Sequence, residues 1–347
     1  MQQTCVTLIG TGQMGLVLSW MLASQSQPPR VKLWGRDPAT VDGLIQTRES
    51  QAHLPGLKLP ENVELISDDA AAFDECDLIL SCVPTQFLRS VFGRLAPHIP
   101  PGIPIAGVSK GIEQETLQRP TQVIQEVLQG PVGPDSPDGP ARPQATLTGP
   151  TVAMELARCL PSTCIAASED VAVNEQLQEL LTTSWFRIYT ITDLLGAELA
   201  GATKNVIALE AGILDGLQAG FNAKSALLSR GLAEITRLGV AMGARQETFF
   251  GIAGVGDLAT TCFSPLGRNR SCGEALGKGV SLADYLGETA SVVEGVPTTK
   301  SVMRLAQKYR VEMPITEAVH AVLYEGLDPI DGIARLMTRD PKPERIG

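Results

Sequence analysis

The chain has 347 residues, enough for two domains, and 44% of them are hydrophobic, as in an ordinary globular protein. Its formal net charge of −10 argues against nucleic acid as a partner, and no apolar run reaches the roughly 18 residues of a membrane span. Seven cysteines form no CxxC pair, and three histidines show no metal-ligand spacing. We therefore expect a soluble, cytoplasmic protein with reduced thiols, no membrane partner and no metal, whose proton donor, if it is an enzyme, is a lysine or a carboxylic acid.

A glycine-rich turn follows the first predicted strand, TCVTLI at 4–9. The segment GTGQMG then leads into the helical periodicity of LVLSWMLASQ. Between a strand and a helix, this spacing indicates a dinucleotide-binding loop rather than a plain glycine turn. Gly10 would make the tight turn, Gly12 would let the backbone approach a pyrophosphate, and Gly15 would allow close helix–strand packing. The anion would lie at the N-terminus of the helix.

The second predicted strand, 30–34, ends where an acid would bind the adenosine ribose of NAD. Gly35 and Arg36 stand there instead. Asp37 precedes a proline, which is typical of a helix N-cap. Arg36 is therefore either a surface arginine or a contact for the 2′-phosphate of NADP.

Further apolar strands are predicted at 77–83 and 104–108, and the second ends in Ser109-Lys110-Gly111. Ligands of open parallel sheets bind beyond the carboxyl ends of the strands, so Lys110 is a candidate contact for a charged ligand. A solvated loop lysine is the alternative. Residues 130–144 are too rich in proline and glycine for a helix or strand, and we expect an exposed, mobile loop without chemistry.

A strand at 145–148 ends in Gly149-Pro150-Thr151 before the helical VAMELARCL. The Thr151 hydroxyl could cap this helix or contact a substrate. With strands at 164–167 and 186–189, the alternation predicts an α/β domain at 1–191, a doubly wound Rossmann-type parallel sheet. Only helical patterns follow, which predicts an all-α domain at 192–347. Its helices are expected at 193–217, 223–242, 296–309 and 315–324.

Lys204 has an unusual position on the predicted helix 193–217. Its neighbours three, four and seven residues away are small or apolar, so it is the only charge on that stripe. The pattern predicts an ammonium that faces a packed surface and has a lowered pKa. A lysine that extends past the alanines to water is the alternative. Asn205 interrupts the same small-residue surface.

Two segments between the later helices are predicted to be loops, 251–258 and 264–270. Asp257, which follows several glycines, could cap the next helix. Arg268-Asn269-Arg270 places two guanidinium groups and an amide together, which suits bidentate recognition of a phosphate. In an acidic protein, such a cluster points to a small anionic ligand or is simply a solvated surface.

Taken together, these motifs resemble the bacterial-type NAD(P)-dependent glycerol-3-phosphate dehydrogenases over nearly the whole chain. The matching segments are GTGQMG at 10–15, VSKGIE at 108–113, GPT at 149–151, GATKNVIAL at 201–209, GVGDL at 254–258 and RNR at 268–270.

The resemblance implies reversible interconversion of sn-glycerol 3-phosphate and dihydroxyacetone phosphate, which supplies glycerol 3-phosphate for glycerophospholipid synthesis. It implies NADH/NAD or NADPH/NADP as cofactor, a homodimer, and Lys204 as general acid/base. The implied substrate contacts are Lys110, Gly149, Thr151, Lys204, Asn205, Asp257, Arg268 and Asn269. The implied cofactor contacts are Gly10, Gly12, Gln13, Met14, Gly15, Arg36, Lys110, Ala153, Arg268, Val292 and Glu294. A second lysine near Lys204 would lower its pKa further.

The chain departs from the family pattern at three positions and in the length of the 130–144 insert. Thr151 replaces a serine, Met154 a lysine and Gly267 a serine. Two other interpretations are a β-hydroxyacid dehydrogenase and a nicotinamide-nucleotide sensor without turnover. The first would have asparagine four residues after the lysine, where this chain has Ala208.

Overall fold

The computed structural model describes residues 3–129, 142–289, 291–341 and 343. The predicted proline-rich loop lies outside the described residues from 130 to 141. The chain forms two compact units, and the predicted domain boundary after residue 191 stays a prediction. The sheet unit comprises Met1–Ser109, Pro120–Leu147 and Thr151–Leu194, and the helical unit comprises Lys110–Arg119, Thr148–Pro150 and Leu195–Gly347.

The sheet unit contains an eight-stranded sheet in the order β3-β2-β1-β4-β5-β6-β7-β8. Its strands are β1 Cys5–Ile9, β2 Arg30–Trp34, β3 Val63–Ile66, β4 Leu78–Ser81, β5 Ile105–Gly107, β6 Gln144–Thr148, β7 Ser162–Ala167 and β8 Phe186–Ile191. The pairs β1–β2, β1–β4, β2–β3, β4–β5, β5–β6 and β7–β8 are parallel. The predicted Rossmann-type fold is confirmed. Strand β3, a short segment with a charged residue, was not predicted.

Helices cover both faces of this sheet because its side chains alternate between two apolar cores. In β4, Leu78 and Leu80 join one core, whereas Ile79 joins the other. The first core includes side chains of α1 and α6, and the second includes those of α3 and α4. The helices of this unit are α1 Gln13–Ala23, α2 Pro38–Thr47, α3 Leu88–Leu95, α4 Pro120–Gln129, α5 Ala153–Leu156 and α6 Val171–Leu181, with 3₁₀ turns at Ala71–Phe73 and Thr85–Phe87.

The helical unit is built around α7, Leu194–Gly216, in which every residue from 196 to 214 is buried. A helix whose surface is small and apolar on most sides can be surrounded by others. These others are α8 Gly220–Ala241, α9 Gln246–Phe250, α10 Asp257–Phe263, α11 Arg268–Gly277, α12 Leu282–Glu288, α13 Gly295–Tyr309, α14 Pro314–Tyr324 and α15 Pro329–Met337, with a π-helical turn at Ile252–Gly256. The four predicted helices are confirmed, whereas the two predicted loops are partly helical. None of the helices in the described ranges is long and apolar enough to cross a membrane.

Four glycines let α11 pack directly on the backbone of α7. A Cβ atom on Gly212 would lie 1.9 Å from the Arg270 carbonyl oxygen, and one on Gly216 would lie 2.4 Å from that of Glu274. In the opposite direction, a Cβ on Gly273 would lie 1.9 Å from the Leu209 oxygen. Gly277 is also crowded, because a Cβ there would lie 2.5 Å from the Ile213 oxygen. Only glycine permits this approach, which fixes α11 against the helix that carries Lys204.

Candidate active site

Two lysines share one buried aspartate inside the helical unit. Lys204 Nζ lies 3.0 Å from Asp257 Oδ1, and Lys110 Nζ lies 2.8 Å from Asp257 Oδ2. The Lys204 ammonium also donates to the Thr261 hydroxyl, which in turn donates to Asp257 Oδ1 at 3.2 Å. We call Lys110, Lys204, Asp257 and Thr261 the lysine–aspartate cluster. Sequence reasoning missed Thr261, although it stands four residues after Asp257, on the same face of α10.

Burial makes Lys204 an unusual amine. The residue is 4% exposed, so the prediction that it faces a packed surface is confirmed and the solvent-extended alternative is wrong. Burial lowers the pKa of Lys204 to about 8, the attraction of Asp257 opposes this effect, and the nearby charge of Lys110 adds to it. Burial alone would raise the pKa of Asp257, but the two lysines together lower it. The aspartate therefore stays ionised while Lys204 can exchange a proton near neutral pH.

Several groups of the helical unit hold Lys110 in place. The Asn205 side-chain amide donates to the Lys110 carbonyl oxygen at 2.7 Å, and Lys110 Nζ donates to the Gly149 carbonyl at 2.9 Å. Gly201 leaves room on α7, because a Cβ there would lie 2.8 Å from Thr148 Oγ1 and 3.6 Å from Lys110 Cγ. The side-chain amide of Asn205 thus binds the backbone of Lys110.

Helix α11 begins with an exposed arginine at its positive end. The predicted RNR loop is wrong, because Gly267, which has extended backbone angles, is the N-cap and Arg268 is the first helical residue. Within the described part of the chain, the Arg268 guanidinium forms no hydrogen bond or ion pair. Although the residue is exposed to solvent, the protein atoms around its guanidinium partly desolvate it and lower its pKa, and the attraction of Glu294 opposes this. Glu294 and Val292 are half-buried in the segment before α13.

The other two residues of RNR have structural partners. Arg270 pairs with Asp215 at 2.6 Å and with Glu274 at 3.2 Å. Asn269 Oδ1 accepts a hydrogen bond from the Gly295 backbone nitrogen at 2.9 Å. The guanidinium available to a ligand at this helix start is therefore that of Arg268.

Two predicted alternatives based on helix caps are wrong. Helix α10 has Gly256 at its N-cap, and the Asp257 carboxylate is occupied by the lysines. Helix α5 begins at Ala153 with Val152 at its N-cap and no side-chain cap, so Thr151 does not cap it. Met154 packs against an apolar core of the sheet unit.

The glycine loop of the sheet unit fits a dinucleotide. Gly10 has φ +111°, and a Cβ on Gly15 would lie 1.8 Å from the Gly10 oxygen, so both glycines are required by the backbone. A Cβ on Gly12 would meet nothing within 4 Å, and α1 has no side-chain cap at this residue. Open space at an uncapped helix N-terminus is the environment a pyrophosphate needs. The Gln13 side-chain amide donates a hydrogen bond to the His53 backbone oxygen at 2.9 Å, and the Met14 side chain packs against an apolar core of the sheet unit.

Beyond the end of β2, the residue after Gly35 is a cation, Arg36, rather than an acid. Asp37 is the N-cap of α2, as predicted, and accepts hydrogen bonds from the backbone nitrogens of Ala39 and Thr40 at 3.3 and 3.1 Å. Its carboxylate is thereby occupied. Arg36 is exposed, and its backbone oxygen accepts a hydrogen bond from Arg94 at 3.3 Å.

Two family models match this chain. Residues 5–174 match the model described as NAD-dependent glycerol-3-phosphate dehydrogenase N-terminus, and residues 193–334 match that of its C-terminus. The chain belongs to the NAD-dependent glycerol-3-phosphate dehydrogenase family. The family assignment drawn from the motifs is confirmed.

Individual relatives cover the chain almost completely. It is 43% identical to a glycerol-3-phosphate dehydrogenase [NAD(P)+] of Geobacter sp. (strain M21), over 98% of this chain and 99% of the relative. It is 42% identical to one of Streptomyces coelicolor, over 97% of each chain. The crystal structure of a glycerol-3-phosphate dehydrogenase from Coxiella burnetii superposes with a TM-score of 0.90 at 35% identity, over 97% of this chain and 99% of that one.

Proposed function

We propose that this chain catalyses the reversible NAD(P)-dependent interconversion of sn-glycerol 3-phosphate and dihydroxyacetone phosphate. The chain is an oxidoreductase of the glycerol-3-phosphate dehydrogenase family, with NAD or NADP as cofactor. The observation that carries the proposed role of its residues is the buried Lys204 ammonium, which shares Asp257 with Lys110. The same helical unit presents Arg268 at a helix start.

Lys204 is proposed as the general acid and base. When bound, the nicotinamide supplies or accepts the hydride. Reduction of a ketone places negative charge on its oxygen, which a nearby ammonium stabilises and protonates, an effect worth roughly 10²- to 10⁴-fold in rate. A pKa of about 8 lets Lys204 donate this proton and take it back in the reverse reaction.

The neighbours of Lys204 keep its ammonium in place, and one of them, Lys110, helps to lower its pKa. Asp257 and Thr261 both bind the ammonium, which fixes the direction in which a proton leaves. The charge of Lys110 opposes protonation of Lys204. Asn205 holds Lys110 through its backbone oxygen. We assign Asn205 to positioning, while Lys110, Lys204 and Asp257 remain proposed substrate contacts.

Arg268 is proposed to bind the substrate phosphate. A guanidinium at the positive end of a helix is a favourable partner for a phosphate dianion. Asn269 supports this role by tying the start of α11 to Gly295. Gly149 and Thr151 remain proposed substrate contacts.

The glycine loop would hold the cofactor through Gly10, Gly12, Gln13, Met14 and Gly15. The further proposed cofactor contacts are Lys110, Ala153, Arg268, Val292 and Glu294. Arg36 is proposed to bind the 2′-phosphate of NADP, because the carboxylate of Asp37, the next residue in the chain, is occupied as a helix cap. Arg36→Ser should then raise KM for NADPH by roughly 10- to 150-fold, from the loss of a charged hydrogen bond, while KM for NADH changes little. Equal increases in KM for NADPH and NADH in steady-state assays would contradict this role.

The product would supply glycerol 3-phosphate for glycerophospholipid synthesis. We also propose a cytoplasmic location and a homodimer. All seven cysteines are free, which suits a reducing compartment. The dimer rests on the family resemblance, and sedimentation equilibrium of the purified chain would test it.

A substrate panel tests the proposed reaction. Oxidation of NADH and NADPH is followed with dihydroxyacetone phosphate, with unphosphorylated dihydroxyacetone and with a 3-oxoacid, the compound that a β-hydroxyacid dehydrogenase would reduce. We expect efficient turnover with the phosphorylated ketone alone. Turnover restricted to the oxoacid would favour a β-hydroxyacid dehydrogenase. Cofactor binding without turnover of any compound would favour a sensor.

A further inference from the structure

The segment that carries Lys110 is held by two helices. The Asn205 amide of α7 binds the carbonyl oxygen of Lys110 at 2.7 Å. Two residues further on, the Ser301 hydroxyl of α13 donates to the carbonyl oxygen of Ile112 at 3.0 Å. Ser301 is fully buried, and the Ile112 side chain lies in the apolar core of the helical unit. The backbone on the C-terminal side of Lys110 is thus fixed by a hydroxyl that points out of α13.

Helix α13 is itself fixed where it begins. Asn269 Oδ1 accepts a hydrogen bond from the Gly295 nitrogen at 2.9 Å. A Cβ on Gly295 would lie 2.7 Å from the Asn205 carbonyl oxygen, so α13 starts in direct contact with α7. The Ser301 hydroxyl therefore has a defined position relative to both α7 and α11.

Helices α7 and α13 also hold the rest of the segment that carries Lys110. Gln114 donates from its side chain to the Pro297 oxygen at 3.3 Å and accepts from Arg304 at its backbone oxygen. Arg119 pairs with Glu198, whose side chain is fully buried. These contacts hold residues 113–119, whereas the Ser301 bond acts two residues from the lysine itself.

We propose that Ser301 is a positioning residue, which keeps the Lys110 ammonium on Asp257 by fixing the carbonyl group of Ile112. This inference rests on the proposed function, because Lys110 and Asp257 matter through their effect on Lys204. The hydrogen bond of Ser301 goes to the backbone of Ile112 rather than to any of these three side chains. It acts through the backbone of residues 110–112.

Loss of the Ser301 bond has a specific electrostatic consequence. Lys110 competes with Lys204 for Asp257, at 2.8 and 3.0 Å. If residues 110–112 shift, Lys110 moves away and the carboxylate interacts more strongly with Lys204. The pKa of Lys204 then rises, because an attraction grows while a repulsion weakens.

The test compares two buried hydroxyls of α13. Ser301→Ala removes the bond to Ile112, and Thr299→Val removes a bond of 2.8 Å that stays within α13, to the Gly295 oxygen. Hydrogen–deuterium exchange of the ligand-free chain should be faster over residues 110–119 in Ser301→Ala only. With dihydroxyacetone phosphate, Ser301→Ala should lower kcat/KM by about 2- to 12-fold, the equivalent of one hydrogen bond. Its pH–rate profile should shift to higher pH, whereas that of Thr299→Val should not.

A double mutant shows whether Ser301 acts through Lys110. In a Lys110→Ala background, Ser301→Ala should have no further effect on kcat/KM. An undiminished effect there, unchanged exchange at 110–119, or equal behaviour of the two α13 variants would overturn the proposal. If Ser301→Ala fails to fold, Ser301→Cys, which keeps a weak donor, takes its place, and misfolding of both would make the hydroxyl structural. Absence of wild-type turnover would instead contradict the proposed function, while the exchange result would still test the contact.

Discussion

Two aspartates of the helical unit each bind two cations, yet the two clusters differ in what they can do. Asp257 binds Lys204 and Lys110. Asp215 binds Lys224 and Arg270, both at 2.6 Å. Counted with its two cations alone, each aspartate forms a group of the same formal charge.

The surroundings distinguish them. The Asp257 side chain is 3% exposed and that of Asp215 is 23% exposed. In the first cluster, burial and a second ammonium lower the pKa of Lys204 to about 8. In the second, one cation is the guanidinium of Arg270, and the centroid of the Phe263 ring lies 5.0 Å from Lys224 Nζ. A buried carboxylate shared by two lysines thus gives an exchangeable proton, whereas the other cluster ties α7, α8 and α11 together.

Replacing Lys204 in the first cluster and Lys224 in the second should give the largest difference in kcat. Lys204→Met should lower kcat by roughly 10²- to 10⁴-fold, because the proton donor is lost. Lys224→Met should leave kcat close to the wild-type value and lower the thermal midpoint, because it breaks a largely structural ion pair. Steady-state kinetics and thermal unfolding of both variants provide the comparison.

Dinucleotide binding is the control for Lys204→Met, since the glycine loop belongs to the sheet unit. Its affinity for NADPH, measured by fluorescence titration, should stay at the wild-type value. Loss of binding together with turnover would mean that Lys204 supports the fold, and equal kcat losses in both variants would remove the distinction between the clusters.

Replacing Arg268 and Arg270, at the start of α11, should change KM by different amounts. This difference should be smaller than the difference in kcat between the two lysine variants. Arg268→Gln should raise KM for dihydroxyacetone phosphate by roughly 10- to 150-fold, from the loss of a charged hydrogen bond to phosphate. Arg270→Gln should mainly reduce stability, because its guanidinium is used by Asp215 and Glu274. KM values and unfolding midpoints for both variants test this. A larger KM effect at Arg270 would contradict the assignment.

Thr261 should give the smallest effect. Thr261→Val keeps the shape of the side chain and removes the hydroxyl that binds the Lys204 ammonium. The expected loss in kcat is about 2- to 12-fold, typical of one hydrogen bond. Thr260→Val is a matched control, because the Thr260 hydroxyl donates to the Gly256 oxygen at 3.1 Å. Equal kcat values for the two variants would show that the Thr261 contact is unimportant.

The buried lysine could be predicted because its cause is local. Small and apolar residues at helical spacing around Lys204 allow other helices to pack there, and this information lies within one helix. Strands with largely apolar, fully buried runs, such as β1 and β4, were predictable for the same reason. Strand β3 was missed because VELI is short and carries a glutamate.

The partners of that lysine could not be predicted, because they depend on tertiary contacts. Nothing near Asp257 in sequence shows that two lysines will occupy its carboxylate, so a helix cap was an equally good interpretation. Arg268 and Arg270 look equivalent in sequence, and only the packing of α11 on α7 brings Arg270 to Asp215. Lys110 follows a strand of the sheet unit, yet within the helical unit Asn205 binds its carbonyl oxygen and Ser301 binds that of Ile112, two residues further on.

The pH dependence of kcat for reduction of dihydroxyacetone phosphate, at saturating NADPH, tests the role of Lys204 most directly. Reduction requires the protonated amine, which predominates below its pKa of about 8. We therefore predict a kcat that is constant below this pH and falls about tenfold per pH unit above it, with the opposite trend for oxidation of glycerol 3-phosphate. A kcat that stays constant from about pH 7 to 10, or a falling limb that persists in Lys204→Met, would contradict the assignment of Lys204 as the proton donor.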